Sequence, residues 1–309
     1  MKSMKILVTG GAGFIGSHLT RKLLSQGCEV VALDNLSTGL RENMPAGAEL
    51  IEMDICDPQL VEVFSEQQFD MVVHLAGQTM VDASIRDPQA DQEINIGGTV
   101  NLLEAARKSK VRRIVFASTA AAYGDADQLP IKESTPVNPQ SFYGLSKVTV
   151  EHYLDLYQRF FGLEYVVLRF SNVYGERQGD GGEGGVISIF TKRIAAEQSI
   201  TIYGDGEQTR DFIYAGDVAA GIWGALQTTS VNMVCNLSTQ TEVSLNELVG
   251  ILMNVAGRKI KPVYGADRAG DIKHSMLSNA RARKYFDWKP MTSLEDGLQR
   301  TYLYFKMDK

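Results

Sequence analysis

The heptapeptide Gly10-Gly11-Ala12-Gly13-Phe14-Ile15-Gly16, set directly after the short apolar run 5–9, restricts this chain more than any other feature. Glycine is required where a chain turns tightly, where its backbone approaches a pyrophosphate, and where a helix packs close on a strand. A helix beginning near Phe14 turns its N-terminal N–H groups toward such an anion. A second strand, 29–33, leads to Asp34, 21 residues after Gly13. A carboxylate there accepts hydrogen bonds from both ribose hydroxyls and repels a 2′-phosphate, so the pattern predicts NAD rather than NADP. The competing reading is an ordinary βα turn with a surface aspartate, and the strand–turn–helix context argues against it.

Segments 5–9, 29–33, 49–52, 71–75, 113–118 and 165–170 are short and rich in β-branched residues. Helical patterns lie between them at 18–26, 60–67, 98–108 and 143–161. The strands are nearly continuous apolar runs, so both faces of their sheet must be covered, and covered faces with strand–helix alternation mean a parallel sheet. The expected fold is α/β: a doubly wound parallel Rossmann sheet with a smaller mixed α/β C-terminal substrate lobe. Composition changes after Gly175, where residues 179–185 hold five glycines in seven positions. A boundary there divides the chain into 1–175, the NAD-binding domain, and 176–309, with part of 209–240 returning to the first unit. In the second unit we expect helices at 188–196, 216–226, 245–256 and 279–286 and a strand at 199–203. The glycine run is either a loop that closes over a substrate or a plain surface loop.

Charge and cysteine usage narrow the class. The 31 Lys and Arg against 37 Asp and Glu leave a net charge of −6, which repels nucleic-acid and membrane phosphates. Cys28, Cys56 and Cys235 lack the spacing of a disulfide framework or a zinc site, so all three are expected to be small core residues and no metal is expected. Ile6-Leu7-Val8 falls far short of the ~7–15 apolar residues of a signal core. The uncharged stretch 218–241 carries Gln227, Thr228, Ser230, Asn232 and Asn236, unlike the ~20 apolar residues of a membrane span. The expectation is a cytoplasmic protein.

Further stretches bear on chemistry. Asp54, after the third strand, is placed either to accept from an adenine amine or to cap a helix. His74-Leu75-Ala76-Gly77 ends the fourth strand with small residues beside the cofactor path. Tyr143 and Lys147 stand at i and i+4 near a helix start, hence on one face. A phenol titrates near ~10, and a cation beside it lowers that value, which makes a phenolate base available at neutral pH. Thr119 ends the fifth strand, at the carboxyl edge where open α/β sheets bind ligands. Its hydroxyl is suited either to a substrate oxygen or to strand-end capping.

In combination GGAGFIG, LDN, MDI, HLAG, FASTAAAYG, YGLSK, LRFSNVYG and TRDFIY resemble the extended short-chain dehydrogenase/reductase family, in particular its NAD-dependent nucleotide-sugar epimerases and dehydratases. The resemblance runs from residue 5 to about 290. It implies Tyr143 and Lys147 as the catalytic pair and Thr119 as the hydroxyl partner. It implies NAD held by Gly10, Gly13, Phe14, Ile15, Gly16, Asp34, Asn35, Asp54, Ile55, Leu75, Ala76, Gly77, Gln78, Asn95 and Ala117, together with Tyr143 and Lys147. A UDP-sugar would contact Thr119, Asn172, Val186, Tyr203, Arg210, Arg268, Asp271 and Ser275. The implied reaction interconverts UDP-glucose and UDP-galactose at C4 through a 4-keto sugar. Ser275 falls where a bulky tyrosine restricts some members, so UDP-GlcNAc and UDP-GalNAc are further candidates.

Departures from the family pattern are informative. The dehydratases place Asp-Glu after the catalytic threonine to move protons during elimination, and the UDP-glucuronate decarboxylases usually carry a Glu there. This chain has Ala120 and Ala121. Some members carry a lysine just beyond the HLAG stretch, where this chain has Gln78-Thr79. The rival readings are a 4,6-dehydratase, a UDP-glucuronate 4-epimerase, an NDP-sugar reductase, and a non-catalytic NAD(P)-sensing regulator. Helices around 98–108 and 148–161, with Leu102, Leu103, Leu154, Leu156 and Phe160, pair across a two-fold axis in a homodimer or pack on the chain's own sheet. Arg177, Arg258 and Arg281 are expected to be surface charges.

Overall fold

The computed structural model describes residues 3–179, 185–267 and 272–307. Seven parallel strands form one sheet: β1 (Lys5–Thr9), β2 (Glu29–Asp34), β3 (Glu49–Glu52), β4 (Met71–His74), β5 (Arg113–Thr119), β6 (Glu164–Phe170) and β11 (Met233–Leu237). Their order is β11-β6-β5-β4-β1-β2-β3. The order reverses beside β1, and this switch point opens a crevice at the carboxyl ends of the strands.

The strand sequences account for the layers. Ile6, Val8, Val30, Val73, Val115 and Val166 face one side with Leu19, Leu23, Val218 and Ile222. Leu7, Val31, Val72, Ile114 and Val167 face the other with Leu60, Phe64, Leu102, Leu103, Val150 and Leu154. Alternate residues of one apolar strand thus enter two different cores, which is the period of two expected for a sheet covered on both faces. The covering helices are α1 (Phe14–Ser25), α2 (Leu60–Gln67), α5 (Thr99–Lys108), α6 (Phe142–Phe161) and α8 (Ala215–Gln227), while α3 (Val81–Arg86) and α4 (Pro88–Gln92) pack on α6. Helix α6 starts where the Ser141 hydroxyl accepts the Gly144 N–H, and it stops at Gly162 with φ of 74°.

Strands β7 (Asn172–Tyr174) and β10 (Phe212–Tyr214) pair in parallel, and β9 (Thr209–Arg210) and β12 (Val243–Ser244) pair antiparallel. Strand β8 (Thr201–Tyr203) pairs with β13 (Val263–Gly265). With α7 (Val186–Ala195), α9 (Leu245–Ala256) and α11 (Leu294–Met307) they enclose a third core of Ile187, Phe190, Ile202, Phe212, Leu248, Leu252, Leu298 and Phe305. Helix α10 (Ala280–Phe286) joins the first core through Ala282 and Phe286. The chain returns to the large sheet after this excursion: β11 extends the edge beyond β6, and α8 packs on α1. Arg113 anchors that return, with Nη1 donating to the carbonyls of Ala225, Leu226 and Thr228 at the end of α8 and Nε and Nη2 donating to Glu164.

Several elements carry no sequence expectation. Strand β11 lies in the polar half of the uncharged stretch, α11 follows the last helical pattern, and 81–98 is helical throughout most of its length. Three expectations need correction. Arg258 is half-buried, with Nη2 donating to the Ile194 carbonyl, and is not a plain surface charge. Cys56 is exposed, whereas Cys28 and Cys235 are buried. Arg177 is not a plain surface charge: its Nε donates to the buried Ser17 hydroxyl on α1 at 2.8 Å. Among the described residues, no helix is long and apolar enough to cross a membrane.

Candidate active site

The glycine turn is sterically dictated. Gly10 has φ of 67°, and a β-carbon on it would stand 2.9 Å from the Ala76 nitrogen at the end of β4. A β-carbon on Gly16 would stand 2.0 Å from the Gly10 carbonyl oxygen, so the first turn of α1 lies directly on the loop. Gly13 caps α1 without a side-chain hydrogen bond. The opening N–H groups of α1 thus keep the anion-facing character of a helix start. Asp34 is 7% exposed, and its two oxygens accept the Ala12 and Leu36 N–H groups at 3.0 and 2.9 Å. Burial pushes its carboxyl up, while those donors and the Gly13 N–H oppose the shift. A carboxylate offers about four acceptor sites, so the backbone donors do not exhaust it. Asn35 donates to Asp54 at 2.7 Å, and Asp54 also accepts the Cys56 N–H in a local turn. The residue at the start of α2 is Gln59 instead, so the capping alternative for Asp54 fails. Ile55 is buried against Gly98. This shape, with a glycine cradle at a helix start and an anchored acid at the next strand end, fits a dinucleotide such as NAD.

Next to it lies a buried polar network. Thr9 Oγ1 accepts the N–H groups of Leu75 and Ala76, and His74 bridges Thr9 and Thr99 through Nδ1 and Nε2 at 2.7 and 2.9 Å. The Thr99 hydroxyl spends its proton on the Asn95 carbonyl, so it accepts from His74 Nε2–H, and Nδ1 accepts from Thr9. Burial and the Lys147 charge pull His74 down to about 3, which keeps the ring neutral. Residues Glu93–Gly98 form one wide π turn, a distortion common at functional sites. Within it the buried Asn95 donates to the Gln78 carbonyl, Asp91 and the Ser146 hydroxyl, while its own oxygen accepts the Gln78 N–H.

The catalytic candidates meet at the carboxyl edge. Lys147 is 4% exposed, with Nζ 4.9 Å from the centre of the Phe116 ring and 5.9 Å from that of Tyr143. Burial pulls its ammonium down to about 8, and Asp91 opposes the shift. Thr119 Oγ1 accepts the Ala121 N–H at 3.1 Å, which leaves its own proton for an acceptor in the cleft. The first turn of α6 packs on that segment, since a β-carbon on Gly144 would stand 2.7 Å from the Ala121 carbonyl. The half-buried Tyr143 and Thr119 therefore border one place, with Ala117 on the same strand. The methyl groups of Ala120 and Ala121 supply no acid there.

A cleft of about 380 Å³ opens in the C-terminal lobe, and Asn172, Val186, Tyr203 and Arg210 line it together with Ile189, Phe190, Arg193 and Gln208. Four of the substrate candidates thus share one wall. Asn172 is the link to the chemical residues: it lies two positions beyond Phe170, whose register partner is Thr119. Arg210 Nη1 donates to the Thr209 and Ile272 carbonyls at 2.8 and 2.6 Å. Ser275 is partly buried in the segment that follows. The fully buried Asp211 holds that segment, accepting from the Leu277 N–H and from Thr239 and Gln240. Arg268, Asp271 and residues 180–184 of the glycine run lie outside the described residues.

Sequence reasoning missed Asp91, Asp211 and, on α7, the cleft residues Ile189, Phe190 and Arg193 beside Val186. The spacing of Val186, Ile189, Phe190 and Arg193 puts them on one helix face, and the Asp91/Asn95 pair at i and i+4 was a comparable signal. Nothing local marked Asp211.

The chain as a whole is similar to known proteins. The profile of the NAD dependent epimerase/dehydratase family matches residues 6–238. UDP-glucose 4-epimerase of Thermotoga maritima, solved with UDP-glucose, is 40% identical with a TM-score of 0.95, covering 99% of both chains. UDP-glucose 4-epimerase of Thermus thermophilus, solved with NAD, is 39% identical with a TM-score of 0.91, covering 98% of this chain and 99% of that one. UDP-N-acetylglucosamine 4-epimerase of Methanobrevibacter ruminantium, solved with UDP-N-acetylmuramic acid, is 33% identical with a TM-score of 0.95, covering 100% of both chains.

Proposed function

This chain belongs to the NAD-dependent epimerase/dehydratase family, and from that premise we propose that it inverts C4 of UDP-hexoses, interconverting UDP-glucose and UDP-galactose. The observation that carries the reading is Tyr143, Lys147 and Thr119 gathered at the sheet edge, with methyl groups where an elimination would need acids. NAD, when bound, supplies a reversible hydride acceptor. The residues that would hold it are those of the glycine turn, Asp34, Asn35, Asp54, Ile55, Leu75 to Gln78, Asn95 and Ala117.

The remaining work belongs to the chain. Tyr143, as phenolate beside the Lys147 ammonium, takes the proton of the 4-hydroxyl and later returns it to the 4-keto oxygen. Thr119 orients that oxygen with the proton that it does not spend on Ala121. Asn172, Val186, Tyr203 and Arg210 hold the UDP moiety, and Arg268, Asp271 and Ser275 are assigned to the same substrate. Tight holding of UDP with loose holding of the hexose lets the keto sugar turn its other face, because binding energy from a remote group need not restrain the reacting ring. The test mixes purified protein with UDP-galactose without added cofactor. UDP-glucose should form with no net nicotinamide reduced or consumed; an eliminated product, or turnover only when NADH is added and then consumed in stoichiometric amount, would refute the reading.

Two finer statements belong here. Partly buried Ser275 supports acceptance of N-acetylated sugars, and the likeness to an N-acetylglucosamine epimerase supports it further. Turnover of UDP-GlcNAc checks this, and strict rejection of the acetamido sugar is the contrary result. A homodimer is supported by an apolar stripe on α6, where Leu145, Leu156 and Phe160 are exposed, Phe160 to 74%. Leu102, Leu103 and Leu154 pack instead on the chain's own sheet. Light scattering should find a dimer, and Phe160→Glu should give monomers.

A further inference from the structure

Neither the glycine turn nor the UDP cleft makes use of one buried anion beside the catalytic pair. Asp91, in α4, is 2% exposed. Its Oδ1 accepts two amide donors, Gln78 Nε2 at 2.8 Å and Asn95 Nδ2 at 3.0 Å. The other end of the Asn95 amide faces the lysine: a methyl group on Gly77 would stand 2.6 Å from Asn95 Oδ1 and 3.4 Å from Lys147 Nζ. The Asn95 amide thus bonds the carboxylate through its nitrogen, and its oxygen borders the same point beside Gly77 as the ammonium. The π turn brings it there, and Ser146, next to Lys147 in sequence, is bonded to the same amide nitrogen.

We propose that Asp91 is the counter-ion of Lys147, a positioning residue whose charge, acting across the Asn95 amide, keeps the buried lysine protonated and so keeps Tyr143 available as a base. The proposal rests on the epimerase reading of the Tyr143–Lys147 pair. A buried ammonium without an anion sheds its proton, because desolvation penalises the charged form. The groups that face Lys147 offer little else. From β4 comes His74, a neutral ring; from β5 the face of Phe116; from its own helix Tyr143. Among the described residues, Asp91 is the acid that opposes the effect of burial on Lys147. The two amide donors on one oxygen hold the carboxylate in place.

The test compares the wild type with D91N, D91E, K147M and D91N/K147M. In urea unfolding at pH 7 the Asp91 and Lys147 substitutions should be strongly non-additive, and the coupling should collapse at pH 10, where the folded lysine is neutral. In turnover, D91N should lower kcat at pH 8 about tenfold and move the high-pH limb of kcat down by about one unit or more, with KM for the UDP-sugar unchanged. D91E should restore most of both. Additive unfolding effects, or a folded D91N with an unaltered pH profile, overturn the proposal. Should D91N fail to fold, D91N/K147M should fold, since removing the cation removes the need for its partner; a double variant as unstable as D91N also overturns it. If the wild type itself lacks epimerase activity, the functional reading fails while the unfolding cycle still decides the Asp91–Lys147 pairing.

Discussion

The crevice beside β1 and the cleft in the C-terminal lobe are built on opposite principles. In the first, contiguous backbone does the work: seven consecutive residues make the turn, and Asp34 is bonded to Ala12 and Leu36 nearby. In the second, the wall is collected from α7, β7, β8 and β9, and the segment that carries Ser275 is held by distant partners, among them Asp211, which bonds to Leu277, Thr239 and Gln240, and Arg210, which bonds to Ile272. The contrast teaches that the constant part of the chemistry is written in local backbone geometry. The part that selects a substrate is written in long-range contacts.

The largest expected effect separates chemistry from holding. Tyr143→Phe should cut kcat by about 10²–10⁴, the range for a positioned general base, with UDP affinity in calorimetry nearly unchanged. Arg210→Gln should do the reverse, raising KM more than it lowers kcat. A Tyr143→Phe enzyme with most of its kcat would break the division.

Asp211→Ala probes the long-range clamp. It leaves several buried N–H groups without their acceptor, at a cost of about 3 kcal/mol in urea unfolding, and it should weaken UDP binding although Asp211 does not line the cleft. Lost stability with unaltered UDP affinity would show that the clamp and the cleft are independent.

Gly16→Ala tests the local side. The added methyl would meet the Gly10 carbonyl at 2.0 Å, so a loss of about 1–3 kcal/mol is expected from overpacking, along with faster loss of nicotinamide. Gly250, inside α9, has nothing within 4 Å of its added methyl, and Gly250→Ala should stabilise by about 0.5–1 kcal/mol. Equal effects at the two sites would remove the steric argument.

A further effect, comparable in size to the Gly16→Ala loss, is pH-dependent. His74 is held at about 3 in the fold, against ~6.5 in an unfolded chain. The unfolded state therefore binds more protons between these values, and stability present above about 6.5 is lost as pH falls toward 3. At pH 5 this group should have cost about 2 kcal/mol relative to pH 7, at ~1.4 kcal/mol per unit. His74→Gln should lessen that acid sensitivity in urea titrations at the two pH values, and an unchanged slope would argue against a buried neutral imidazole.

Legibility in the sequence follows the same division. Residues 5–9 and 113–119 alternate between two cores, and that period of two can be read from the residues alone. Strand β11 could not be read this way, because Asn236 interrupts its apolar pattern. Asn236 is nevertheless fully buried, with partners in Tyr123, Ile131 and Ser278 that only the folded chain supplies. Leu102 and Leu156 look alike in a helical pattern, yet one is buried under the sheet and the other exposed.

By itself the sequence determined the glycine turn, the acid at the end of the second strand, the two-faced strands and the Tyr143/Lys147 spacing. Each of these is a constraint on neighbouring backbone or on a repeat of a few residues. The tertiary structure decided the buried Asp91–Asn95–Lys147 arrangement, the clamp at Asp211 and the shared wall of the cleft. Those depend on which distant polar groups are desolvated together, and no local pattern encodes that.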